Sequence, residues 1–125
     1  MNENREISLK KLKKAYKNGE LGFQKGAESC RYYDAKTDSC CAIGVLIGKP
    51  EDRTKNKNLF RNIGYISSLD PNTIEEVEQE WGLNHFELCQ LQRRHDRIIS
   101  HRVNAYPQKE IEEVEQEFKE YLYSL

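Results

Sequence analysis

The sequence predicts a mostly α-helical protein, a compact orthogonal helical fold with residues 1–125 in a single domain. Three observations lead to this prediction. Four segments carry apolar residues at i, i+3, i+7 spacing, which is typical of amphipathic helices. Favourable capping residues stand at the expected helix ends. One long apolar run, residues 39–48, occurs in a chain that is 33% charged, so the other segments are expected to pack around it.

This apolar run predicts a central, buried helix near residues 39–47. Asp38 and Ser39 are favourable N-cap residues, and Gly48 is a favourable residue to follow the helix end. Because Gly44 has no Cβ, we expect a neighbouring helix to approach closely there. The run is too short to cross a bilayer, which takes about 20 residues. We therefore expect no membrane partner.

The N-terminal half is predicted to contain a lysine-rich helix and a small β ribbon. Ser8 is expected to cap a helix from residue 9 to about 18, after frayed residues 1–5. Tyrosines followed by turn residues predict a ribbon near residues 28–38. Residues 49–58 predict a mobile polar loop, and residues 59–64 a short helix ending in glycine.

Three helices are predicted in the C-terminal half. Asp70 and Pro71 favour the start of a helix to Trp81. Asn84 with Glu87 has capping-box spacing for a helix over 85–103, and the last helix follows Pro107. The apolar stripes of the last two helices are Leu88, Leu91, His95, Ile98 and Ile99, then Ile111, Val114, Phe118, Leu122 and Leu125.

One heptapeptide, Ile-Glu-Glu-Val-Glu-Gln-Glu, occurs twice, at residues 74–80 and 111–117. Solenoid repeats of that period need about three copies. We interpret the two copies as the same amphipathic helical pattern occurring in two helices.

Charge is distributed unevenly along the chain. Residues 1–66 carry 14 Lys and Arg against 8 Asp and Glu, whereas residues 67–125 carry 6 against 13. The two halves either attract each other or form two faces of opposite sign, one of them for a charged partner. The candidate partner-binding residues are Glu112, Glu113 and Glu117 of the last helix, with Arg93, Arg94 and Arg97.

The candidate catalytic residues are Cys40 and Cys41, in the predicted first turn of the central helix, with His95 and Asp96. A helix N-terminus lowers a thiol pKa, and a histidine base can activate a thiol. Burial would raise that pKa instead, and adjacent helical positions keep Asp96 from orienting His95 readily. The simpler interpretation makes both cysteines small core residues and His95 a core residue with satisfied ring nitrogens.

A zinc site is a further alternative. His85 and Cys89 have i, i+4 spacing, and Cys30 with Cys40 or Cys41 would complete four ligands. The cysteine spacing fits neither a C-x-x-C zinc knuckle nor a disulfide framework. We expect no metal and no cofactor, since the sequence also contains no Walker, Rossmann or H-E-x-x-H motif.

The sequence also predicts a cellular setting. The polar N-terminus predicts that no signal peptide is present. With the cysteine spacing, this predicts reduced thiols in a cytosol.

Several segments together resemble short proteins that are common in phages and mobile elements. These segments are Gln24-Lys25-Gly26, the Cys40-to-Leu46 run, Leu91 with His95-Asp96, and Phe118 with Tyr121-Leu122. Members of that group have a basic N-terminal helix, a Gly/Gln-rich turn, a Cys-Cys-Leu-Gly-Val-Leu-like helix and a later Asn-Asp, where this chain has His95-Asp96. The resemblance implies a phage or prophage protein in a bacterial cytoplasm. Compact proteins of this setting often bind and inhibit a host defence component.

Three functions follow as hypotheses. The first is a non-enzymatic inhibitor of a host defence protein, of the anti-CRISPR or another anti-defence type, whose partner is a nuclease or nucleoprotein complex. The second is nucleic-acid binding through the lysines from Lys10 to Lys17 or the arginines from Arg93 to Arg97. The third is a thiol-dependent hydrolase that uses Cys40 or Cys41 with His95. We expect a binding protein rather than an enzyme, and the oligomeric state stays open.

Overall fold

A computed structural model of the chain describes residues 3–28, 32–48 and 66–125. In these ranges, five α-helices and one two-stranded antiparallel sheet follow one another, which confirms the mostly α prediction with a small ribbon. The helices and strands are α1 (Glu3–Lys17), β1 (Tyr33–Asp34), β2 (Ser39–Cys40), α2 (Ala42–Ile47), α3 (Pro71–Trp81), α4 (His85–Val103) and α5 (Gln108–Ser124). Short 3₁₀-helices lie at Gly22–Gln24 and Ile66–Ser68.

The three C-terminal helices begin and end close to their predicted positions. Asp70 caps α3, its Oδ1 accepting a hydrogen bond from the Thr73 N–H at 3.0 Å. Gly82 ends α3 with φ 67°, a left-handed conformation that glycine adopts without strain. Asn84 and Glu87 form the predicted capping box of α4, with reciprocal bonds of 2.8 and 3.0 Å. Local capping residues therefore decide the boundaries at Asp70, Gly82 and Asn84.

The core lies around α4, which contacts α2, α3, α5 and both 3₁₀-helices. The predicted stripe of α4 is buried, and so are Ile111, Val114, Phe118 and Leu122 of α5. Helix α2 is buried as predicted, apart from the partly exposed Val45. It is α4, however, that joins most of the other elements.

The predicted start of the first helix is wrong. Helix α1 begins at Glu3 instead of residue 9, and Ser8 is a buried interior residue rather than a cap. Asn4 donates to the Gln79 carbonyl at 2.9 Å, and both Arg5 guanidinium arms bind the Glu87 carboxylate at 2.8 and 2.9 Å. These distant partners hold in place the turn that was expected to fray.

The predicted start of the central helix is also wrong. Ser39 and Cys40 form β2, which pairs with β1 in the register Tyr33↔Cys40 and Asp34↔Ser39. The N-cap of α2 is therefore Cys41, whose Sγ accepts from the Gly44 N–H at 3.4 Å. The first two residues of the apolar run pair with β1, so the helix begins only after them.

Gly44 is closely approached, but by the β ribbon rather than by a helix. A Cβ at this position would collide with the carbonyl group of Tyr32, with its carbon 2.8 Å away. The ribbon backbone therefore rests directly on the glycine face of α2.

Some predictions fall outside the described residues, namely the loop over 49–58, the helix over 59–64, and Cys30. Within the described ranges, no helix is long and apolar enough to cross a membrane.

Candidate functional site

A polar cluster lies between α2 and α4, buried at Gln92 and partly exposed at Asp96. The Ile43 N–H donates to Gln92 Oε1 at 3.1 Å, and Gln92 Nε2 donates to Asp96 Oδ1 at 2.7 Å. Gln92 also hydrogen-bonds with the Cys41 side chain. Gln92 thus connects the start of α2 with the carboxylate of Asp96.

The thiol of Cys41 is held in its protonated form. Burial raises the pKa of Cys41 to about 12, although the Gly44 N–H and Gln92 both act to lower it. Desolvation of the thiolate outweighs these hydrogen bonds. Only a very small fraction of Cys41 is thiolate near neutral pH, which argues against a role as nucleophile.

His95 is fully buried, and its ring packs edge-on against two phenylalanines. The ring centroids lie 5.4 Å from that of Phe23 and 6.1 Å from that of Phe118. Nε2 accepts a hydrogen bond from the Phe23 N–H at 3.4 Å. The imidazole therefore fixes the 3₁₀ turn at residues 22–24 on α4.

The other His95 nitrogen, Nδ1, has no hydrogen-bond partner among the described residues. Asp96 Oδ1 is 3.4 Å away, within ion-pair distance, but the geometry makes no hydrogen bond. The expectation that both ring nitrogens are satisfied holds for Nε2 alone. The Cys41 thiol bonds to Gly44 and Gln92 rather than to His95, so these candidates do not form a nucleophile–base pair.

The side chains of His85 and Cys89 both contact the backbone carbonyl of Ile66. His85 Nε2 lies 2.6 Å from the Ile66 oxygen and 3.5 Å from Cys89 Sγ. Because a carbonyl only accepts, His85 Nε2 carries a proton. The pair fastens the 3₁₀-helix at 66–68 to α4. In the described ranges, no three His, Cys, Asp or Glu residues are grouped as metal ligands, and Cys41 does not join this pair.

The segments that carry the phage-type resemblance meet in space. Phe23 and Phe118 enclose His95, while Gln92 and Asp96 face the start of α2. Sequence reasoning missed Phe23 and Gln92. The one local signal for Gln92 was its i, i+4 spacing from Asp96. These segments therefore form a structural centre of the fold.

The outer face of α5 carries glutamates. Five of them are exposed, and we call Glu110, Glu112, Glu113, Glu117 and Glu120 the glutamate face. Glu117 lies 3.3 Å from Arg97, and Glu115, beside this face, lies 3.0 Å from Arg102. The other four glutamates of the face form no ion pair with a described residue.

The three candidate arginines of α4 do not form one free patch. Arg94 stacks over the Tyr121 ring at 4.4 Å and hydrogen-bonds to Gln90, and Arg97 pairs with Glu117. Arg93 is exposed. Two of the three cations are thus engaged within the molecule.

The lysines of α1 form a more open surface. Lys10, Lys11, Lys14 and Lys17 are exposed and Lys13 is half-buried. A surface depression of about 560 Å³ is lined by Glu6, Leu9, Lys10, Lys13, Lys14, Lys17 and Asn18.

Comparison with known proteins identifies no relative: no protein-family model, curated protein or solved structure matches the chain.

Proposed function

We propose that this chain is a non-enzymatic binding protein of a phage or mobile element that acts in the bacterial cytoplasm. Its partner is a host defence protein, a nuclease or a nucleoprotein complex. The glutamate face of α5 occupies the basic groove of that partner where nucleic acid would bind, and so inhibits it.

The observation that carries this proposal is the rigid display of the glutamate face. The inner side of α5 is held by Ile111, Val114, Phe118 and Leu122, all buried. A helix fixed along its whole inner face holds the Cα atoms of these glutamates at constant spacing. Such preorganisation reduces the entropy cost of binding.

The spacing of these carboxylates suits a groove that binds a phosphate backbone. Glu110, Glu113, Glu117 and Glu120 follow i, i+3, i+7, i+10 and line one side of α5 over about 15 Å. This is roughly one charge per 5 Å, compared with one phosphate per 3.4 Å of axis in each DNA strand. The charge density is thus somewhat below that of one strand.

The environment of Cys41 argues against thiol catalysis by this residue. Its pKa of about 12 keeps the thiol protonated, and its hydrogen bonds serve the start of α2. Cys41 is therefore explained by its structural role.

The experiment is capture of the partner from a bacterial lysate, identified by mass spectrometry, followed by affinity measurement with purified components. The test variant combines Glu112→Lys, Glu113→Lys and Glu117→Lys. The repeated heptapeptide provides a matched control on α3, Glu75→Lys with Glu76→Lys and Glu80→Lys, where all three glutamates are also exposed.

We expect the α5 variant to lose at least about 10-fold in affinity, with the native affinity falling as salt rises. The α3 control should bind like the native chain. Equal losses in both variants, or none in the α5 variant, would refute a specific role for the glutamate face. Circular dichroism confirms that both variants remain folded.

A further inference from the structure

We propose that four lysines of α1, namely Lys10, Lys13, Lys14 and Lys17, bind the phosphate backbone of duplex nucleic acid without reading its sequence. We call these four residues the lysine stripe. This inference concerns a different surface and a different class of partner from the glutamate face, so it stands or falls independently of the proposed function.

The first support is the arrangement of the stripe. Positions 10, 13, 14 and 17 follow i, i+3, i+4, i+7 and therefore lie on one side of α1, within about 10 Å along the axis. Lys11 is exposed as well; it lies at the edge of the stripe, i, i+3 from Lys14, and does not line the depression. The stripe lines the surface depression, so the convex backbone of a nucleic acid can approach the four lysines.

The second support is that these charges are available. None of the four lysines forms an ion pair with a described residue, whereas Arg94 and Arg97 are engaged by Tyr121 and Glu117. Lys13 lies over the Tyr123 ring at 5.3 Å, which leaves its ammonium charge intact. The structure thus favours the lysines over the arginines as the nucleic-acid-binding group.

The third support is that the opposite side of α1 is already used. Leu12 and Ala15 are buried in the core, and Leu9 and Tyr16 pack against it. An amphipathic helix binds a membrane by inserting its apolar side, whereas the apolar side of α1 packs against the core and Ile7 is the one large apolar residue that this helix exposes. An anionic bilayer is therefore a poor fit for this helix.

The charge pattern also favours a duplex over a single strand. Single-strand binders present aromatic side chains on which bases stack. The residues lining the depression beside the stripe include no aromatic side chain. The exposed ring of Tyr123, under Lys13, offers one stacking position rather than a succession of them. A duplex carries one negative charge per about 1.7 Å of its axis, so lysine charges can bind it without aromatic stacking. One carboxylate, Glu6, lines the depression beside the four lysines, so the lining keeps an excess of positive charge.

The test is fluorescence anisotropy of the full chain with a 20-base-pair duplex, the matching single strand, and vesicles rich in phosphatidylserine. The test variant replaces all four stripe lysines by glutamine. The matched control is Lys25→Gln, Lys36→Gln, Lys109→Gln and Lys119→Gln, which removes the same charge at four exposed positions outside α1.

We expect the native chain to bind the duplex at 50 mM salt and to lose about 150-fold in affinity by 200 mM, as release of counterions from four phosphates requires. The stripe variant should lose most of this affinity and most of the salt dependence, while the control keeps both. Circular dichroism verifies that each variant folds.

Three outcomes would overturn the proposal. The native chain could show no duplex binding at 50 mM salt. The control could weaken as much as the stripe variant, which would attribute binding to net charge. The single strand or the vesicles could bind more tightly than the duplex, which would assign the stripe to another partner.

Discussion

Ala105 has a backbone conformation that alanine rarely adopts. Its φ is 54°, in the left-handed region, at the turn between α4 and α5. The turn is fixed by bonds from the Ala105 N–H to the Arg102 carbonyl at 3.0 Å and from the Tyr106 N–H to the His101 carbonyl at 2.9 Å. Alanine therefore carries strain that glycine would not, on the order of 1 kcal/mol.

We expect Ala105→Gly to raise the free energy of unfolding by about 0.5–1 kcal/mol, since relief of strain exceeds the added entropy of the unfolded chain. Urea unfolding followed by circular dichroism measures this change. A loss of stability would show that the left-handed turn is not strained.

Asp38 provides the matched comparison, because its φ is also left-handed, at 48°. Its carboxylate accepts the Tyr33 hydroxyl at 2.9 Å. Asp38→Gly relieves the same strain but removes this bond, so we expect a smaller gain than at Ala105.

At the scale of elements, the contact between the β ribbon and α2 depends on one missing side chain. We expect Gly44→Ala to lower the free energy of unfolding by about 2–4 kcal/mol, because its Cβ would meet the rigid backbone of Tyr32. Thermal and urea unfolding measure the loss.

Gly26→Ala is the control for this substitution. Gly26 has φ 79° with open space around its Cβ position, so the cost there is that of the left-handed backbone alone, about 1 kcal/mol. If both variants lost the same amount, close packing at Gly44 would not be the cause.

The elements also differ in how well the sequence predicts them. Asp70, Gly82 and the Asn84–Glu87 pair act on residues next to them, so their signals lie within a few positions. The start of α1 depends on partners 75 to 82 residues away, and β2 depends on pairing with β1. No local pattern contains the distant partners of α1, which is why its predicted start was wrong. The β ribbon was predicted from local turn signals, but the apolar run and its capping residues favoured a helix over the two residues that pair with β1.

The same difference applies to the polar cluster. Periodicity alone predicts that His95 faces the core. Its bond to the Phe23 N–H spans 72 residues, and the bond from Ile43 to Gln92 spans 49. Which groups meet there follows from how the helices cross, and residue spacing within one helix does not determine it.

At the scale of the whole molecule, the buried thiol of Cys41 and the half-buried hydroxyl of Tyr32 make stability depend on pH in the alkaline range. Burial raises the pKa of Cys41 from 9.0 to about 12 and that of Tyr32 from 10.0 to about 12. Above pH 9 the unfolded chain releases these protons while the folded chain keeps them. The unfolded state then binds fewer protons, so stability decreases as pH rises.

We therefore expect the free energy of unfolding to fall between pH 9 and 12, with each group contributing a slope of up to about 1.4 kcal/mol per pH unit. Cys41→Ser keeps an N-cap acceptor and removes the titrating thiol, so it should flatten the decline from pH 9 to 10. Urea unfolding at pH 8, 9 and 10 tests this. An equal decline in native and Cys41→Ser chains would exclude Cys41 as its source.

The first turn of α1 has a consequence for synthesis on the ribosome. Asn4 and Arg5 are made before their partners Gln79, Gly82 and Glu87, which follow 75 to 82 residues later. At typical translation rates this delay lasts roughly 4–16 s. During that time the helix emerges without the carbonyls and carboxylate that hold its first turn. A protease present during translation would therefore cut the first turn of α1 in nascent chains and spare it in completed ones.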